Sequence, residues 1–173
     1  MLAALAALAL AFLLLCLLKL GGFFRGAPYL PTNDATLERM MRAARISPGE
    51  RMADLGSGDG RLVIAAALAG AEAEGYEINP LLVFLSKRAI AKRGLSERAR
   101  IRRTSFWKAD FRNCEVVTIF GVPSIMPKLE QKLLAELPVG ARVVSHSFPF
   151  PSWEGERDEN VFLYIKKAPK EAS

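Results

Sequence analysis

Apolar and polar positions divide the chain into one unbroken apolar block and a longer part in which they alternate. Residues 1–18, MLAALAALALAFLLLCLL, carry no charge, and only Cys16 interrupts the Ala, Leu, Phe and Met side chains. After the extended segment Pro28-Tyr29-Leu30-Pro31-Thr32, the residues Leu37, Met40, Met41 and Ala44 recur at helical spacing, with Thr32, Asn33 or Asp34 placed to cap that helix. Ser47-Pro48-Gly49 reads as a turn. Arg51–Leu55 reads as a short strand, followed by a helix from Arg61 to Ala69 and a second strand at Ala73–Ile78. Pro80 suits a first helical turn, and Leu81, Leu82, Leu85, Ala89 and Ile90 predict the apolar face of the helix that Gly94 ends. Strands are predicted at Arg98–Arg103, Glu115–Phe120, Gly140–Ser145 and Asn160–Lys166, with a helix at Ile125–Leu137. Strands alternating with helices predict an α/β fold, a Rossmann-like and mostly parallel sheet with helices on both faces, preceded by an N-terminal hydrophobic helix.

That first block is long enough to matter. As a helix, its 18 residues rise about 27 Å, close to the ~30 Å of a bilayer's hydrocarbon core. A cleaved signal peptide would carry a basic start and a transit peptide would be rich in Arg and Ser; this block has neither. A buried core helix would show a polar stripe. The block therefore reads as a single-pass membrane anchor. Lys19, Arg25, Arg39 and Arg42 all follow it, which predicts a folded domain on the cytoplasmic (or mitochondrial matrix) side. The expected organisation is an anchor at 1–20, a glycine-containing joint at 21–27, a domain at 28–168 and a short tail at 169–173.

Composition narrows the class. In 173 residues there are two cysteines, far apart, and one histidine, so neither a disulfide scaffold nor a metal site is expected. The charge of +6 is concentrated. Residues 87–103 hold Lys87, Arg88, Lys92, Arg93, Arg98, Arg100, Arg102 and Arg103 against Glu97 alone. This is either a solvated helix face and sheet edge or a contact for anionic lipid. No platform of stacking aromatics accompanies these bases, so nucleic acid is not expected as a partner.

The chemistry is carried by Asp54-Leu55-Gly56-Ser57-Gly58-Asp59-Gly60, between a strand and a helix. Glycines serve where a loop turns with positive φ or lets a ligand approach, and ligands of open α/β sheets sit at the strands' carboxyl ends. Glu77 ends the next strand, where a carboxylate can accept from both hydroxyls of a ribose. The loop departs from the dinucleotide fingerprint G-x-G-x-x-G, because its glycines run G-x-G-x-G and Val63 stands where a third glycine could follow Gly58 and Gly60, and no Gly-Lys-Ser/Thr completes a P-loop. An acid-flanked loop suits a cationic nucleoside without phosphates, such as S-adenosylmethionine (SAM).

The loop, helix, strand and acid, in that order, resemble motif I and the following acidic position of class I SAM-dependent methyltransferases. A narrower resemblance runs through most of residues 28–166. P28-Y-L-P-T32, D54-L-G-S-G-D-G-R61, G75-Y-E-I-N-P80, F120-G-V-P123, L129-E-Q-K-L133, G140-A-R-V-V-S145 and F148-P-F-P-S-W153 look like the small membrane-associated protein-lysine methyltransferases. Mitochondrial members of that family modify the ATP synthase c-subunit and the adenine nucleotide translocase. The resemblance implies that Gly56, Gly58 and Gly60 wrap the methionine part of SAM, with Asp54 near its ammonium and Glu77 on its ribose. It places Ser105 and Phe106 beside adenine, although many relatives carry Asp or Asn where Ser105 stands. It places Tyr29 and Thr32 at the cofactor and substrate entrance. Asp110 and Tyr29 are candidates for holding the acceptor amine. The expected activity is methyl transfer to a lysine of a membrane or membrane-adjacent protein. The alternatives are methylation of a small lipophilic acceptor (a quinone or lipid) and a non-catalytic, membrane-tethered SAM-binding module.

Overall fold

A computed structural model describes residues 33–168. The predicted anchor at 1–18, the joint, Tyr29 and Thr32 lie outside the described residues. The first element is helix α1, Asp34–Ala44. Asn33 caps it, its side-chain oxygen accepting from the Thr36 N–H at 2.8 Å. The elements that follow are β1 (Arg51–Leu55), α2 (Arg61–Leu68), β2 (Glu72–Glu77), α3 (Pro80–Lys92) and β3 (Ala99–Arg103). A 3-10 turn at Phe106–Lys108 precedes β4 (Val116–Ile119), α4 (Met126–Glu136) and β5 (Arg142–His146). A hairpin of β6 (Glu156–Asp158) and β7 (Val161–Ile165) is the last element among the described residues.

The seven strands form one sheet in the order β3-β2-β1-β4-β5-β7-β6. The first five are parallel. β7 runs antiparallel to β5, and β6 antiparallel to β7. β6, absent from the sequence-based expectation, consists of three exposed charged residues, Glu-Arg-Asp, with no alternation to announce it. It is a strand because β7 lies beside it.

Each face of the sheet has its own core. One packs α1, α2 and α3 on the sheet through Met40, Leu62, Val63, Val83 and Ile90. The other packs α4 through Met126, Leu129 and Leu133 against Leu55, Val117, Ile119 and Val143, with Phe111 fully buried among them. Burying each such side chain contributes about 1.5–3 kcal/mol. The helices do cover both faces. The β3–β4 crossover supplies no more than the 3-10 turn, however, so the β2–β3 edge has a helix on one side alone. Among the described residues no helix is long and apolar enough to cross a membrane.

Helix α3 differs from its sequence reading. Its buried positions are Val83, Ser86 and Ile90, whereas Leu81 and Leu85, predicted to face the core, are exposed. In a helix this rich in apolar residues more than one stripe satisfies the 3.6-residue period. Packing against β2 and β3 selects among them.

Candidate functional site

The strand order reverses beside β1, where β2 leaves in one direction and β4 in the other. Such a switch point opens a crevice at the strands' carboxyl ends, and the glycine loop is built there. The amides of Gly56 and Ser57 both donate to the Tyr76 carbonyl, at 2.9 and 3.0 Å, which staples the loop to β2. Gly60 N–H donates to Ser57 O at 2.8 Å and closes the turn. Gly56, Gly58 and Gly60 have φ of 81°, 54° and 80°, the left-handed region that side chains disfavour.

Glu77 is tied into this loop. One carboxylate oxygen accepts from Gly58 N–H at 3.0 Å and the other from Asn79 N–H at 2.7 Å. The carboxylate is buried at the end of β2, and each oxygen keeps a lone pair for a further donor. Asp54 is buried at the end of β1, where its Oδ1 accepts from the Thr118 hydroxyl of β4 at 2.6 Å. Burial pushes the Asp54 carboxyl up to about 7. The bond from Thr118 opposes that rise, and the negative charges of Glu77 and Asp59 add to it. Asp59 is paired with Arg61, whose Nη2 lies 2.6 Å from Oδ2.

The loop thus gathers three carboxylates around glycine backbone, a donor set that suits a cation. A Cβ built on Gly56 would meet no heavy atom within 4 Å, so the space beside its backbone is open. Ser57 is buried, and its Oγ has no hydrogen-bond partner among the described residues. An open cradle and anchored carboxylates fit the nucleoside and the ammonium tail of SAM.

The other expected site residues fall in different places. Ser105 and Phe106 follow β3, on the same rim as Glu77, whose register partner is Arg103. Phe106 packs against Trp107 at 4.9 Å and against the second core. Asp110 is not brought to the glycine loop. It lines a cavity of about 280 Å³ with Arg51, Glu72, Arg98 and Asn113, at the opposite end of the strands. There it is paired with Arg112 at 2.6 Å, whose hydrogen bonds hold its carboxyl down at about 2.

Sequence reasoning missed two supporting residues. Thr118 is the polar member of an otherwise apolar strand, and that interruption was its signal. Gly75 lies in mid-strand. A Cβ there would fall 2.5 Å from Ser57 Oγ and 2.6 Å from Ile101 Cδ1, so the bare backbone makes room for the loop. His146, at the end of β5, is buried against Phe120 at 4.3 Å, and its Nε2 lies 3.0 Å from the Asn160 side-chain nitrogen. Burial holds its imidazole below the usual histidine range.

Residues 54–157 match the model of the ANTKMT methyltransferase domain. The chain belongs to this methyltransferase family. It is 43% identical over 143 residues to the adenine nucleotide translocase lysine N-methyltransferase of Mus musculus, covering 79% of this chain and 62% of that one. It is 35% identical over 149 residues to a protein-lysine N-methyltransferase of Saccharolobus islandicus, covering 80% of this chain and 92% of that one. The described fold superposes on an RNA methyltransferase from Salinibacter ruber, solved with S-adenosyl-L-homocysteine, with a TM-score of 0.76 and 33% identity. That match covers 82% of this chain and 97% of the other. The chain spans about three fifths of the length of the mouse relative.

Proposed function

We propose that this protein is a SAM-dependent protein-lysine N-methyltransferase acting on a membrane or membrane-adjacent protein. The observation that carries the cofactor assignment is the glycine loop locked to Glu77 through the Gly58 amide at 3.0 Å. The lysine acceptor is supported by the mouse and archaeal relatives, both of which are lysine methyltransferases.

When bound, SAM supplies an electrophilic methyl group on a sulfonium. The residues of this chain bind and orient it. Asp54 would hold the ammonium tail and Glu77 the ribose hydroxyls, Gly56, Gly58 and Gly60 would wrap the methionine part, and Ser105 and Phe106 would border the adenine. The acceptor lysine must be neutral to attack, although its ordinary pKa is about 10.4. Removing the amine from water favours the neutral form, and alignment with the methyl lowers the barrier further. Tyr29 and Thr32 form the substrate side in this reading. Residues 1–18 anchor the protein by a single pass, with the domain on the cytoplasmic (or matrix) side. The anchor and the basic stretch at 87–103 hold it at the membrane.

The test is incubation of the full chain with methyl-labelled SAM and membranes of its own source, followed by separation of protein, extractable lipid and RNA. Label on protein, recovered as methyl-lysine after hydrolysis, is expected. Label in lipid would establish a lipophilic acceptor, label in RNA a nucleic-acid acceptor, and SAM binding without transfer a non-catalytic module.

A further inference from the structure

The outward face of α3 has no role in the site, yet it is built from the wrong residues for a merely solvated helix. Leu81, Phe84 and Leu85 are 41%, 61% and 45% exposed. At 100° per residue they share one stripe with Arg88 and Lys92, opposite the buried Val83, Ser86 and Ile90. Lys87 flanks that stripe, and Lys87, Arg88 and Lys92 are all exposed. None of the three cations has a side-chain hydrogen bond or ion pair among the described residues. No acidic residue occurs between Glu77 and Glu97. A partner for this face must therefore offer apolar matter and negative charge together.

We propose that this face of α3 docks on an anionic bilayer surface, with Leu81, Phe84 and Leu85 entering the interface and Lys87, Arg88 and Lys92 contacting lipid headgroups. Large apolar side chains beside unpaired cations are the composition of interfacial helices, which bind by apolar burial and attraction to anionic lipid together. The order along the helix adds a direction. The apolar residues occupy its first half, which begins three residues after Glu77, and the cations occupy its second half. Inserting the first half brings the Glu77 rim of the site toward the membrane, within reach of a lysine near the headgroups. Lipid contact by this face is measured without turnover and stands apart from the methyltransferase reading.

The experiment uses the full chain carrying Phe84→Trp and vesicles with brominated acyl chains, either phosphatidylcholine alone or phosphatidylcholine with phosphatidylglycerol. The emission of Trp107 and Trp153, recorded on the unsubstituted chain, is subtracted. The expected result is a blue shift and quenching of the introduced indole on anionic vesicles. Adding Arg88→Glu and Lys92→Glu should reduce the quenching to the level seen on neutral vesicles. The readout is local to α3, so attachment through residues 1–18 does not produce it. Hydrogen exchange of residues 80–92 in the unsubstituted chain is the second measurement, with protection by anionic vesicles expected. Equal quenching on both vesicle types, indifference to charge reversal, or absence of both quenching and protection would overturn the proposal. So would protection of the same residues by RNA, an acidic protein or a second copy of the chain when anionic vesicles give none.

Discussion

The buried acids set the behaviour of the site residue by residue. Glu77 holds the Gly58 and Asn79 amides and is proposed to hold the ribose. Glu77→Ala should weaken SAM binding about 10- to 150-fold, the equivalent of about 1.5–3 kcal/mol for lost charged hydrogen bonds, as read by calorimetric titration. Asp54 gives a pH dependence whose sign follows from its raised carboxyl. Its ordinary value is 3.8 and its value in the folded chain is about 7, so the folded state binds this proton more tightly than the unfolded one. The stability contributed by that proton is fully present below about pH 4 and is lost as pH rises through about 7. A cationic ligand prefers the ionised form. SAM affinity should therefore rise between about pH 6 and pH 8, and Asp54→Asn should flatten the profile in the same titration. Gly75→Ala places a methyl group against Ser57 and Ile101 and should destabilise the domain by about 1–3 kcal/mol in urea unfolding. It should also weaken SAM binding, because the neighbour that must move is the loop itself.

At the scale of elements, the segment after β5 is held by contacts rather than by regular structure. Phe150 is buried against Tyr164 of β7 at 5.0 Å and Trp153 at 5.7 Å. Its N–H donates to the Tyr164 hydroxyl at 3.0 Å. Ser152 N–H donates to Glu130 of α4 at 3.2 Å. The Phe-Pro-Phe-Pro-Ser-Trp segment therefore packs into the second core. Tyr164→Phe keeps the ring packing and removes the acceptor, leaving the Phe150 amide buried without a partner. A loss of about 1–3 kcal/mol is expected in equilibrium unfolding, with SAM affinity little changed. Wild-type stability in this variant would show that the loop satisfies its amide elsewhere.

For the whole molecule, the described residues belong to one compact unit, Pro31–Ser173, with a core on each face of the sheet. A chain beginning at Gly26 retains every described contact. It should fold and bind SAM with unchanged affinity, yet lose most labelling of a membrane-embedded target, because the proposed anchor would raise the effective concentration of enzyme near it. Comparing the two chains for SAM affinity and for labelling of native membranes checks both halves. Failure of the shorter chain to fold would mean that the first 25 residues pack into the domain. Equal membrane labelling would remove the role given to the anchor.

The amino-acid order alone determined the elements whose signals are local. Asp54 through Gly60 announced a strand, a loop and a helix, because glycine at positive φ and an apolar period on either side need no distant partner. Glu77 was legible for the same reason, as an acid at a strand's end at a fixed distance from the loop. Tertiary structure decided what depends on partners remote in the chain. It made a strand of Glu156–Asp158 by setting β7 beside it, and it turned that hairpin antiparallel to β5. It chose Val83, Ser86 and Ile90 over Leu81 and Leu85 as the buried side of α3, since several stripes met the helical period and packing on the sheet could use one. It sent Asp110 to the far end of the strands, because β3 and β4 run parallel and the short crossover between them must return to the amino end before β4 starts at Val116. It also brought Thr118, 64 residues away, onto Asp54, a pairing that the parallel register of β1 and β4 creates.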